Sequence, residues 1–512
     1  MQIRLGGLFG AVSKEGLPRD LFFGVDYHSH LGTEVGGIAF LDEDIEVISK
    51  DIGNSQFKSE FQDDYARIRG KLGIGVISDL EEGQPIKFES RIGTFALCTT
   101  GLVRNARELY TELIESGTTL KRPRVKPGGT VPNQTEIVGE LISKGKNVID
   151  GIEKMHERIE GYVSLLLLLK EERSIYATGD AFPLAIGRRG DDWALASETA
   201  SFPNLGYSIF KFLRYREVVS ISESGIKTRV DAPKGMRFCP FLHVYYGFPA
   251  SDYYGINAEV VRERCGGFLA EKDDVTADLV LGIADSGFAH AVGYVKRKIE
   301  LAKGKISKAL DQYRTGKIDM DELEVTVKKA LGSLPPLRRP LVKYTPGWDR
   351  SYIPPTQDKR ELIAKHKQIP NPQMIRGMSI VLIDDSIRRG TQLRDLLREK
   401  IMPHGPKEVH GRIASPRQMF PCILDLSTKN QDLATHKAIA RLEGRIVEDI
   451  KEYMDPKGRK FELMIEEIGK MIGFTTLKYQ TLEDMIRAII EAPNNLGLRR
   501  EDLCLYCWTG EL

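Results

Sequence analysis

Two adjacent carboxylates, Asp384 and Asp385, end an apolar run and open a small-residue loop in IVLIDDSIRRGT, Ile380 to Thr391. Carboxylates so placed can take the vicinal hydroxyls of a ribose, directly or through a metal ion such as Mg2+. Backbone N–H groups around Ser386, Arg389, Gly390 and Thr391 can enclose a terminal phosphate where a helix begins, because the helix dipole favours an anion there. Gly390 lets the backbone come close, and the hydroxyls of Ser386 and Thr391 add donors. The string is equally compatible with a solvated strand end and an N-cap, since short motifs arise by chance. A second candidate is CLYC, where Cys504 and Cys507 are separated by two residues. That spacing suits a metal, and it also suits two buried small hydrophobes.

These groups need elements to hold them. Ile380–Asp384 reads as a strand and TQLRDLLREK as the helix behind the loop; upstream, NAEVVRERCGGFLAE reads as a helix, LVLGIADSG as a strand and AHAVGYVKRKIE as a helix. Strands alternating with helices predict an α/β domain on a parallel sheet. Residues 297–339 are charged and helix-prone, which predicts an inserted helical hairpin acting as a solvated spacer. From Leu8 to about residue 230, short apolar runs (GGIAFL, YVSLLLLL, DDWALAS) alternate with turn signals, with helices at NARELYTELIESG and from about Thr135 to Glu160. That pattern predicts an α+β domain on antiparallel strands. The boundary falls near DAPKGM, dividing the chain into residues 1–232 and 233–512.

Composition excludes several classes. A chain of 512 residues accommodates roughly two to four domains at about 150 residues each. With 41% hydrophobic and 29% charged residues it is globular in type. Lys plus Arg total 74 against 72 Asp plus Glu, so a net charge of +2 provides no field for a nucleic-acid backbone. The run Leu165–Leu169 is far too short to span a membrane. The opening residues lack a secretory pattern, so a cytoplasmic, reducing location is expected, with the six cysteines as thiols or ligands.

The Asp384–Thr391 loop resembles the diphosphate-ribose signature of type I phosphoribosyltransferases, and DDSIxRGT is similar to that of the amidophosphoribosyltransferase family, which makes 5-phosphoribosylamine from phosphoribosyl diphosphate. GIADSGFAHAVGY resembles the family's pyrophosphate loop, with Asp285, Ser286 and Gly287 matching and Ala284 in place of proline. DRSYIPPTQDKR resembles its lid, placing Arg350, Ser351, Tyr352 and Arg360; KYTPGW keeps Lys343 but departs from Lys-Asn-Arg-Tyr. The resemblance implies catalytic roles for Arg350 and Lys343, which would stabilise the departing pyrophosphate, with Mg2+ as cofactor.

The first half resembles the family's class II glutamine amidotransferase domain, which implies an N-terminal-nucleophile-hydrolase-like (αββα) fold. GGLFGAVS, YHSHLGTEVGGIAF and LCTTGLVRNARELYTEL match its segments, but the reactive positions are changed. Gly6 stands at the nucleophilic cysteine, Ser78 at the substrate-gripping arginine, Leu31 at the arginine of HRG, and Thr100-Gly101 at the oxyanion-hole Asn-Gly. Without a nucleophile and its base, glutamine hydrolysis is expected to be absent. LCLYCWTGEL resembles the terminal motif of iron-sulfur members, which implies Cys239, Cys422, Cys504 and Cys507 as ligands of a 4Fe-4S cluster, with a four-thiolate zinc site as the competitor. The expected enzyme uses phosphoribosyl diphosphate with ammonia or another amine; the alternative is a non-catalytic regulatory paralogue. Purine nucleotide effectors and a homo-oligomer are implied by the same resemblance.

Overall fold

The computed structural model describes residues 6–53, 55–79, 82–121, 124–126, 129–180, 182–233, 235, 238–344, 368–423 and 428–511. The chain divides into two compact units, one of residues 1–239 with 250–254 and 501–504, the other of residues 240–249, 255–500 and 505–512.

The first unit holds two antiparallel sheets. In the seven-stranded one, Gly6–Val12 is central, between Leu72–Ser78 and Asp192–Ala196; in the six-stranded one, Gly161–Leu169 lies between Gly93–Val103 and Ser174–Thr178. The period of two in a strand sends alternate side chains to opposite faces. Leu8 and Val12 meet Leu166 and Leu168 in a core between the sheets, whereas Phe9 and Ala11 face helix Leu17–Asp26. Leu165, Leu167 and Leu169 turn to the other side, against helices Ala106–Glu115, Gln134–Ser143 and Val148–Arg158. Five consecutive leucines therefore make one strand buried on both faces, inside an αββα stack. The single helix expected over Thr135–Glu160 is two. Gly151 carries its Cα hydrogens so near the Ile142 carbonyl that a Cβ would stand 2.3 Å from it, and Asn147 restarts the helix by accepting the Asp150 N–H at 3.0 Å.

The second unit holds a four-stranded parallel sheet in the order Leu279–Gly282, Ser379–Asp384, Glu408–Ile413, Thr476–Tyr479. Strand Ser379–Asp384 is almost continuously apolar, whereas Glu408–Ile413 also buries His410 and Arg412, and both are covered by helices that include Ala434–Glu443 and Arg459–Ile472. Helices Ala258–Glu271 and Phe288–Arg314 cross at two glycines, because a Cβ on Gly266 or Gly293 would come within 1.8 Å of a carbonyl oxygen of the other helix. Phe288–Arg314 runs on into Met320–Gly332, which starts at an Asp319–Glu322 capping box. Among the described residues, no helix is long and apolar enough to cross a membrane.

Candidate functional site: two strand ends

At the C-terminal end of strand Ser379–Asp384 the structure gathers most of the loop residues singled out in the sequence. Asp384 and Asp385 are buried, at 8% and 4% exposure. Ser286 donates to Asp384 Oδ1 at 3.0 Å, the Asp385 N–H donates to the same oxygen at 3.0 Å, and Ser386 donates to Asp385 Oδ2 at 2.5 Å. Burial, then the neighbouring charge of Asp385, pushes the Asp384 carboxyl well above the usual carboxylate range; burial raises Asp385 too. Two carboxyls held this way favour a bound cation or hydrogen-bond donors over bare ionisation.

The adjacent strand ends in the Asp285–Gly287 turn. Ile283 N–H donates to Ile383 O at 2.9 Å and Gly287 N–H to Ile283 O at 2.7 Å, so the turn is pinned beside the acidic pair. A Cβ on Gly287 would stand 2.2 Å from Ile383 O, which explains glycine there. Lys343 is drawn to the turn by an ion pair with Asp285. Gly390 opens helix Thr391–Leu396 at φ +74°, the left-handed region that favours glycine. Arg389 reaches Thr428 Oγ1 at 3.3 Å and Asp432 at 3.9 Å, while Ala434 N–H donates to Arg388 O at 2.8 Å. Sequence reasoning missed this support from residues 428–434, which have no motif of their own. Arg350, Ser351, Tyr352 and Arg360 lie outside the described residues.

In the first unit, the four altered positions converge at the start of strand Gly6–Val12. Gly6 pairs with Ser78 in register. A Cβ on Gly6 would meet the Thr100 methyl at 2.7 Å and the Ile77 carbonyl at 2.9 Å, and one on Gly32, beside buried Leu31, would meet the Ser78 backbone at 2.6 Å. Gly101 has φ +135°, with the Tyr162 carbonyl 2.1 Å from where a Cβ would be. Nearby is a network the sequence did not reveal. His28 Nδ1 lies 2.7 Å from Gly24 O, so the proton is assigned there, and Nε2 accepts the Glu198 N–H at 3.2 Å. Glu198 meets His30 at 2.6 Å and accepts from Tyr253 at 2.8 Å and Ser251 at 3.3 Å. Burial works to raise Glu198, but His30 outweighs it and brings the carboxyl down to about 2; burial takes His28 down to about 4. The partners are 53 to 170 residues from Glu198, beyond any motif's reach.

Of the four cysteines expected as ligands, Cys239 and Cys504 belong to the first unit and Cys422 and Cys507 to the second. Cys504 N–H donates to Phe238 O at 2.8 Å, next to Cys239, and Cys507 O accepts from Met419 and Phe420 at 2.9 and 3.0 Å, close in sequence to Cys422. Among the described residues, no group of three or more His, Cys, Asp or Glu stands out as a metal site. Cys98 and Cys265 are fully buried thiols, the latter pushed up to about 12 by burial.

The layered first unit and the parallel sheet with its acidic strand end define an N-terminal-nucleophile-hydrolase-like domain followed by a type I phosphoribosyltransferase domain. No family model matches the chain. It is 28% identical to an amidophosphoribosyltransferase of Methanocaldococcus jannaschii, covering 99% of this chain and 97% of that one, and 26% identical to the amidophosphoribosyltransferase of Bacillus subtilis, covering 99% and 93%. The solved glutamine phosphoribosylpyrophosphate amidotransferase of B. subtilis, complexed with ADP and GMP, superposes with a TM-score of 0.74 at 25% identity over 99% of this chain and 96% of that one. Over almost its whole length the chain is thus similar to curated amidophosphoribosyltransferases and to a solved phosphoribosylpyrophosphate amidotransferase.

Proposed function

We propose that the protein transfers the 5-phosphoribosyl group of phosphoribosyl diphosphate to ammonia or another amine and does not hydrolyse glutamine. The observation that carries this is the buried Asp384–Asp385 pair, with Ser286 and Ser386 on it, in one unit, while in the other the strand start at Gly6 is filled. The amidotransferase-like role falls to residues 1–232 and the transferase role to residues 233–512. Asp384 and Asp385 hold the ribose hydroxyls, the loop Ser386, Arg389, Gly390, Thr391 takes the 5-phosphate, and Asp285, Ser286 and Gly287 take the pyrophosphate. The amine attacks the anomeric carbon as the bond to pyrophosphate breaks, and Lys343 and Arg350 meet the charge on the leaving group. Asp384 and Asp385 would hold Mg2+, which would supply neutralisation of the diphosphate when bound.

Pyrophosphate release with ammonium salts but not with glutamine is the expected result. Absence of turnover with ammonium and a panel of amines would remove the reading in favour of the regulatory paralogue. Purine nucleotides are the effectors we propose, on the strength of the ADP and GMP carried by the B. subtilis neighbour, and a homo-oligomer the assembly. We also propose that Cys239, Cys422, Cys504 and Cys507 hold a 4Fe-4S cluster, on the spacing of the terminal motif. Anaerobically purified protein should carry iron and acid-labile sulfide in equal amounts; zinc without iron assigns the same thiolates to zinc, and neither metal discards the site.

A further inference from the structure

Within the second unit, the edge strand Thr476–Tyr479, helix Arg459–Ile472 and the end of the chain surround a cavity of about 930 Å³. Its walls are largely apolar and aromatic, from Phe461, Ile465, Leu477, Tyr479 and Trp508. That volume lies in the range of small-molecule sites, which bury an apolar body and fix it by a few polar groups. No part of the phosphoribosyl reading uses these residues.

Two polar atoms in the cavity, one on Arg417 and one on Tyr479, have no partner. Arg417 is 7% exposed; its Nη2 donates to Met454 O at 2.8 Å and its guanidinium lies 4.7 Å over the Phe461 ring, but Nε is buried and unpaired. The Tyr479 hydroxyl is likewise buried and unpaired. Guanidinium is always charged and donates only, and burial pushes the Tyr479 phenol up so that it stays protonated. Leaving such donors unmet is expensive, so they mark a place for an acceptor. The rim selects its charge. The lining carries four glutamates, Glu462, Glu466, Glu483 and Glu511, against Lys478, which is itself paired to Asp274 at 2.8 Å; Glu462 is paired to Arg459 at 3.0 Å and Glu483 to Arg500 at 2.6 Å. One negative charge can be matched by Arg417, whereas a dianion such as a phosphate monoester brings a second charge among four carboxylates.

We propose that this cavity binds a small aromatic carboxylate, its carboxylate on Arg417 Nε and the Tyr479 hydroxyl and its ring system among Phe461, Tyr479 and Trp508. The test uses full-length protein, 2-naphthoate as probe and 2-naphthamide as its uncharged counterpart, read by calorimetry and by Trp508 fluorescence. Naphthoate should bind saturably, and the amide at least about tenfold more weakly, as expected for loss of a charge-assisted hydrogen bond. Arg417→Met should weaken naphthoate by about tenfold or more and Tyr479→Phe by several-fold, with little change for the amide. Phenyl phosphate should bind more weakly than naphthoate. Should Arg417→Met fail to fold, Tyr479→Phe alone decides. No saturation by about 10 mM, equal binding of acid and amide, or naphthoate affinity unmoved by Tyr479→Phe would overturn the proposal.

Discussion

The start of strand Gly6–Val12 and the end of strand Ser379–Asp384 are both places where a sheet delivers residues from distant segments to one point, yet they differ in what they hold. At Gly6 the space for a side chain is taken by the Thr100 methyl and the Ile77 carbonyl, and the neighbouring positions offer a serine, a leucine and a glycine. At Asp384 the neighbours are two hydroxyls and a second carboxyl, and burial holds both acids above their ordinary range. On the proposed reading, the first unit keeps a fold whose chemistry has gone. Strand pairing, close-packed glycines and an αββα core are present at the first site, where the buried His28 and Glu198 are satisfied by protein partners, whereas at the second two buried carboxyls stand side by side with the electrostatic cost that a ligand would relieve.

The largest effect is expected at that cost. Asp385→Asn should lower pyrophosphate release with ammonium by about a thousandfold, roughly 4 kcal/mol of transition-state stabilisation, with the fold intact by circular dichroism. Thr100→Ser should leave the same rate within about twofold, because a group outside the reacting set contributes little to the transition state. If the two substitutions slowed the reaction alike, the contrast between the regions would collapse.

Next in size is the acid behaviour of the first unit. His28 titrates near 6.5 when unfolded and at about 4 when buried, so the unfolded chain binds more protons between those values. Stability is therefore complete above about pH 6.5 and falls as pH drops toward 4, by on the order of 3 kcal/mol from this residue. Glu198, with its folded value at about 2 against 4.5, extends the loss further down. Urea unfolding across this range should show the slope, and His28→Gln should reduce it above pH 4.5 by this residue's share, the remainder coming from buried His156, His243 and His290, which burial takes down to about 3; an unchanged slope would place the acid sensitivity in those histidines alone.

Gly6→Cys tests the filled strand start directly. Overpacking against Thr100 and Ile77 should destabilise the protein by about 2 kcal/mol, and Thr100→Ser, which removes the methyl, should return part of that loss. No glutamate should be released from glutamine by either variant, since the arginine and asparagine positions remain Ser78 and Thr100 or its serine variant. Glutamate production by Gly6→Cys would show that the nucleophile alone was missing.

What could be read from the sequence tracks how local each feature is. IVLIDDSIRRGT is one strand, one loop and one helix start, so its residues announce their own arrangement. Leu165–Leu169 announces burial but not its two-sided character, which needs the second sheet and the helices to be known. The break between Gln134–Ser143 and Val148–Arg158 was hidden because residues on both sides have apolar periodicity, and the cause is a backbone approach at Gly151. Glu198 with His28, His30 and Tyr253, and Arg417 with Phe461 and Tyr479, are tertiary juxtapositions with no spacing to betray them.

The smallest predicted effect concerns the Lys343–Asp285 pair. Asp285 is 74% exposed at its side chain and Lys343 32%, so the attraction is screened and holds little stability, under about 1 kcal/mol. Asp285→Asn should leave thermal unfolding almost unchanged. Its effect on turnover depends on what Lys343 does when the pair is broken. A lysine needed on the leaving pyrophosphate is released by this substitution, so kcat with ammonium should hold or rise modestly while Lys343→Met lowers it. Equal losses in the two variants would mean that the pair acts as a unit to shape the turn, and would move Lys343 from the leaving group to the scaffold.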